Sequence, residues 1–162
     1  MNIKLKRKYL YYLNHKIKCA IGKNGITKNK KEGDLKTPSG IFKLKKIFYR
    51  KDRIKFIKTP LKQDYIKKNI GWCDDPASIF YNKEIKYPFK SSAEKLWRKD
   101  NIYDVIIVLN YNFNPIIKNK GSAIFLHIRK KNYAPTKGCV AINKKDMMNL
   151  LVNIKSNTKL VI

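Results

Sequence analysis

Acidic residues, arginine and cysteine are all scarce in this chain, and each scarcity excludes something. Eleven Asp and Glu face 38 Lys and Arg, a formal net charge of +27. Among the cations only Arg7, Arg50, Arg53, Arg98 and Arg129 are arginine. Arginine is the side chain suited to bidentate recognition of bases and phosphates. A lysine-heavy surface, in a chain also crowded with Ile and Asn, therefore reads as solvated background. It attracts polyanions in general, but no RNA-binding or helix-turn-helix signature accompanies it. A basic nucleic-acid-binding module with an incidental Cys/His pair is the weaker alternative, and nucleic acid is not an expected partner. The three cysteines, Cys19, Cys73 and Cys139, are an odd number without CxxC or other zinc spacing. Neither a disulfide framework nor a structural metal site is implied. A metal held by His127, Cys73, Asp74 and Asp75 is again the weaker reading.

Long apolar runs are missing as well. No window reaches membrane-spanning length without a charge. The basic segment Met1 to Lys8 is followed by Tyr9 to Leu13, too short for a signal-peptide core and without a small-residue cleavage site. The chain is expected to be soluble, with no export signal of its own. No repeat or Gly/Ser/Pro-rich linker divides it, so residues 1–162 are expected to form one domain. At 43% hydrophobic over 162 residues, it can bury a substantial core despite 30% charge.

What is present reads mainly as strand. Asn14-His15 lies between two alternating runs and predicts a hairpin turn. Ile17, Cys19 and Ile21 alternate with polar residues, which makes Cys19 a small buried hydrophobe. Gly22 to Gly40 is rich in turn formers, and a strand follows over Ile41 to Tyr49. The stretch Lys51 to Lys90 reads as irregular. Ser91-Ser92-Ala93-Glu94 fits a capping box, predicting a short helix that carries Leu96 and Trp97. Val105 to Leu109 is β-branched and almost uniformly apolar, as in a central strand covered on both faces. Ser122 to Ile128 and Gly138 to Ile142 read as two more strands. Asn143 should cap a helix over Lys144 to Asn153, with Met147, Leu150 and Leu151 on its apolar face. Lys159 to Ile162 closes the chain as a strand. The expected class is β-rich α+β: mixed sheets with a few short helices.

Two of these strands carry a candidate site. His127 ends one apolar run; Thr136-Lys137-Gly138-Cys139-Val140 leads into another, with Cys139 twelve positions after His127. A thiolate is the attacking form of cysteine, and an imidazole can take its proton. Gly138 leaves the backbone uncluttered where a substrate carbonyl must approach. Arg129, Lys130, Lys131 and Lys137 lie between the two strands, where positive charge would favour the thiolate and attract an anionic substrate.

His127…Thr136-Lys137-Gly138-Cys139-Val140 resembles the signature of the L,D-transpeptidase (YkuD-like) catalytic-domain family: histidine, spacer, then Ser/Thr-x-Gly-Cys and an apolar residue. Four ordered segments extend the resemblance over about residues 20–162. They are Gly33-Asp34…Thr37-Pro38-x-Gly40-x-Phe42, then Gly71-Trp72-Cys73-Asp74-Asp75-Pro76 with Ser92-Ala93-Glu94-x-Leu96-Trp97, and Gly121 to His127. The resemblance implies a thiol enzyme of the peptidoglycan wall. Cys139 would attack the carbonyl preceding D-alanine in a stem tetrapeptide. D-alanine would leave, and an amine of a neighbouring stem would resolve the thioester into a 3→3 cross-link. Resolution by water, as in an L,D-carboxypeptidase, is the alternative on the same site. The resemblance also implies that His127 is the base, that the Ile128 carbonyl orients it, and that backbone N–H groups at Gly138 and Cys139 hold the oxyanion. No metal or organic cofactor is needed. Arg129, Lys137, Thr136, Thr37 and Trp72 are the candidate substrate contacts. The substrate class implies the cell envelope. Two positions depart from the commoner family pattern: Lys137 stands where many members have His, and Ala141 where many have Arg.

Overall fold

A computed structural model describes all 162 residues. The first three strands, β1 (Ile3–Lys6), β2 (Tyr9–Tyr12) and β3 (His15–Ala20), form an antiparallel meander. The β2–β3 turn falls on Leu13-Asn14, one residue earlier than expected, and Tyr12 faces His15 across it. Two short parallel strands, β4 (Ile26–Thr27) and β5 (Thr37–Pro38), anchor the long loop that follows. Then comes β6 (Ile41–Tyr49), the longest strand. Its first residues pair with the last strand of the chain and its later ones with β11 (Val105–Leu109).

That double pairing of β6 closes the main sheet on itself. Around the ring run β11, β12 (Phe125–Ile128), β13 (Val140–Ile142), β3, β2, β1, β14 (Lys159–Val161) and β6, with β7 (Gln63–Tyr65) added beside β6. Closure removes the unpaired edges that an open sheet would expose. Strand alternation then sends side chains to two sides. Ile107, Leu126, Ile128, Val140 and Ile142 belong to the larger core, together with Ile3, Leu10, Cys19 and Leu160. Ile106, Val108, Phe125 and Cys139 belong to a second, smaller core. The single α-helix, α1 (Lys144–Asn153), buries Met147, Leu150 and Leu151, and the Asn143 side chain accepts the Asp146 N–H at 2.8 Å. Both the span and the cap agree with the sequence. A 3₁₀ turn at Lys131–Tyr133 is the only other helical element.

The second core is covered by a three-stranded sheet, β8 (Ile70–Cys73) flanked by β9 (Glu84–Lys86) and β10 (Ala93–Lys95). Strands β8 and β9 lie in the stretch expected to be irregular. The sheet also corrects the expected capping-box helix: Glu94 sits in strand β10, opposite Trp72 of β8. A helix beginning at Ser91 would have to stop near Lys99-Asp100, too short to overcome its nucleation cost. Pairing with β8 satisfies the backbone at once, and Leu96 continues it by donating to the Ile70 carbonyl at 3.2 Å. The strands expected over Ser122–Ile128 and Gly138–Ile142 are shorter, beginning at Phe125 and Val140. The segments before them leave the sheet and shape the site.

Candidate active site

His127 and Cys139 are brought together by register. Strands β12 and β13 run parallel, with Leu126 opposite Val140 and His127 opposite Ala141. Leu126 and Val140 enter the larger core, so His127 and Ala141, one residue further along each strand, point to the other face. Cys139 directly precedes β13 and belongs to that second face with Phe125. The Phe125 N–H lies 3.4 Å from its Sγ. His127 and Cys139 thereby line one cavity of about 580 Å³, closed by residues from β10, the Gly22–Gly40 loop and the His127–Cys139 connection.

The imidazole has a defined tautomer. Nδ1 lies 2.9 Å from the Ile128 carbonyl. A carbonyl can only accept, so Nδ1 carries the proton and Nε2 is the basic nitrogen. Burial pushes the His127 pKa down to about 4, against the pull of the Ile128 and Ile102 carbonyls. Burial likewise pushes the Cys139 thiol up to about 12, with Glu94 adding to the rise and the Phe125 N–H and Lys30 opposing it. Both shifts favour a neutral thiol and a neutral imidazole in the one cavity. The thiol donates to the Ala123 carbonyl at 3.1 Å. The cation that acts to favour the thiolate is Lys30, from the Gly22–Gly40 loop, not one of the basic residues between the two strands.

Thr136 and Gly138 shape the turn before the thiol. Thr136 Oγ1 donates to the Cys139 carbonyl at 2.6 Å and accepts the Gly138 N–H at 3.1 Å. The Gly138 N–H is therefore occupied, whereas the Cys139 N–H makes no hydrogen bond within the protein. Gly138 has φ +145°, and a Cβ there would lie 2.9 Å from the Lys36 carbonyl. The Thr136 backbone is itself clamped, donating to Ile21 and accepting from Lys23.

The expected substrate contacts separate into two groups. Thr136 and Lys137 line the cavity. Arg129, Thr37 and Trp72 do not. The Arg129 guanidinium stacks over the Tyr133 ring at 4.6 Å and donates to the Lys130 carbonyl. Thr37 is fully buried and its Oγ1 accepts the Gly22 N–H at 2.8 Å, fixing the loop. Trp72 is a core anchor, edge-on to Phe125 at 5.3 Å with its indole N–H on Asn82. Cys73, also buried, lies outside the cavity lining.

Sequence reasoning missed several lining residues. Lys30 is buried, paired with Asp34 at 2.5 Å, and its side chain lies beside Gly138 and Gly121. Glu32 accepts from Tyr81 at 2.5 Å and Ser122 at 2.8 Å, tying the Gly22–Gly40 loop to the segment before β12. Glu94, Arg98 and Tyr103 come from around β10 and the turn before β11. Lys30 in a lysine-rich loop carries no distinguishing pattern, and Glu94 was hidden by its resemblance to a helix cap.

No helix is long and apolar enough to cross a membrane. Comparison with curated proteins and with solved structures returned no match. The sequence profile of the L,D-transpeptidase catalytic domain, by contrast, matches residues 2–162, nearly the whole β-rich domain that carries this cavity, and the chain therefore belongs to the YkuD family of L,D-transpeptidase catalytic domains.

Proposed function

We propose that the protein is a cysteine-dependent L,D-transpeptidase acting on peptidoglycan stem peptides. The observation that carries this reading is the shared face of β12 and β13, which puts a thiol and a tautomer-fixed imidazole in one cavity. Peptidoglycan is the family's substrate; the nucleophile and the outcome are the proposal. As the Cys139 Sγ attacks the stem carbonyl, His127 Nε2 takes the thiol proton. Because both groups rest neutral, the proton moves during attack instead of beforehand. The Sγ–C bond forms and the oxyanion meets the free Cys139 N–H. Collapse breaks the C–N bond, the imidazolium protonates the departing D-alanine amine, and a thioester remains. An amine of a second stem, deprotonated by Nε2, displaces the thiol and forms a 3→3 cross-link. Lys137 and Lys130, which line the cavity, would meet substrate carboxylates.

Intact-mass spectrometry after incubation with a carbapenem tests the chemistry. One adduct per chain is expected, mapped to Cys139 and absent from Cys139→Ala. Labelling at Cys19 or Cys73 instead, or retained turnover of a stem tetrapeptide by Cys139→Ala, would overturn the assignment. Adding an acceptor stem should convert the released product from hydrolysed peptide to cross-linked dimer.

A further inference from the structure

Position 141, directly across from His127 in the β12–β13 register, supplies only a methyl group. The hydrogen bond from Nδ1 to the Ile128 carbonyl fixes which nitrogen is basic, but it can act as a pivot for the ring. What packs against the ring is Tyr103, edge-on at 5.2 Å between centroids and 83° between planes. Tyr103 is itself held in place, with the Arg98 guanidinium over its ring at 5.5 Å. Its ring meets Phe125 edge-on at 6.2 Å, and its hydroxyl donates to Glu94 Oε1 at 2.6 Å. Glu94 is fixed in turn by the pairing of β10 with β8. A chain of contacts therefore runs from the covering sheet to the imidazole.

We infer that Tyr103 and Glu94 are positioning residues for His127, the Glu94–Tyr103 hydrogen bond locking the ring that packs on the imidazole in the cavity Cys139 also lines. The inference rests on the assignment of His127 as the base. Neither residue is given a proton to move. Their effect is to hold the orientation from which Nε2 meets the thiol during attack, where a displacement of an ångström can cost about 10²-fold in rate. The alternative is that the pair merely fills the second core.

The test uses the full chain and two readouts: turnover of stem peptide, and alkylation of Cys139 by iodoacetamide, mapped by mass spectrometry. Alkylation does not depend on the proposed substrate, so it distinguishes a failure of this inference from a failure of the transpeptidase reading. Tyr103→Phe keeps the ring and loses only the tether. We expect it, and Glu94→Ala, to lower kcat about tenfold with KM within about twofold. The double variant should be no worse than either single one, because both break the same contact. Glu94→Gln, whose amide oxygen can still accept from Tyr103, should recover most of the loss. The His127-dependent rate of alkylation should fall in Tyr103→Phe. The charged groups facing this pair are Glu94, Lys30, Arg98 and Lys130, and Tyr103→Phe leaves all four in place. Additive losses, an effect on KM alone, or no rescue by Glu94→Gln would each overturn the inference. Equal melting temperatures of wild type and Tyr103→Phe would show that any loss of rate is not a loss of fold.

Discussion

Cys139 keeps its proton at neutral pH because taking a thiolate out of water costs more than the nearby cations offset. Lys30 is the cation that opposes the rise, and it does so from inside the site. Alkylation of Cys139 in the free protein should therefore be slow near pH 7 and climb toward the thiol's pKa of about 12. A plateau reached below the ordinary thiol range would contradict this reading. Replacing His127 with Gln should lower the acylation rate ~10²–10⁴-fold while leaving substrate binding nearly intact. The connection between the two strands divides by placement. Arg129→Ala should leave acylation kinetics within about twofold, since its guanidinium lies on Tyr133 outside the cavity. Lys137→Ala should raise KM, with an effect that shrinks as salt screens it. Equal consequences from the two substitutions would return both to background charge.

Among the elements, the turn before β13 and the cap of α1 separate function from stability. Gly138→Ala would place a Cβ against the Lys36 carbonyl at a positive φ. A stability loss of ~1–3 kcal/mol is expected, together with collapse of turnover because the Cys139 N–H moves with the turn. Asn143→Ala removes the cap at the start of α1 and should cost about 1 kcal/mol with little change in kcat. Thermal melts and kinetics on the pair check both statements. Helix α1 was legible because its signals are local: a capping Asn and an apolar stripe at helical spacing. β11 was legible for the same kind of reason, an unbroken β-branched run buried on both sides. β10 was not. The local cap signal at Ser91–Glu94 pointed to a helix, and the open edge of β8, some twenty residues away, decided otherwise.

At the scale of the whole molecule, acid should loosen the fold in a defined window. His127 is buried neutral, its pKa lowered from 6.5 to about 4. The unfolded chain therefore binds more protons between those values, so stability rises with pH across the window and is lost as pH falls through it. The contribution is on the order of 3 kcal/mol. Denaturant titrations from neutral pH down to about pH 4 should show this slope, and His127→Gln should flatten it. Asp34, Asp52 and Asp100, lowered by Lys30, Arg50 and Arg98, add a further loss as pH drops below the ordinary carboxylate range. With a net charge of +27, the chain also repels itself, and added salt should raise Tm. The sequence by itself determined the β-rich class, the apolar runs that carry His127 and follow Cys139, and the cap of α1, each from residue type and short-range spacing; the family came from ordered motifs along the whole chain. Only the tertiary structure decided that the sheet closes through β6, that Arg129, Thr37 and Trp72 stand outside the cavity, and that Lys30, Glu94 and Tyr103 stand within it. It also decided that the thiol rests neutral. Those outcomes depend on strand register and on desolvation, and both are set by residues that meet only after distant segments have packed.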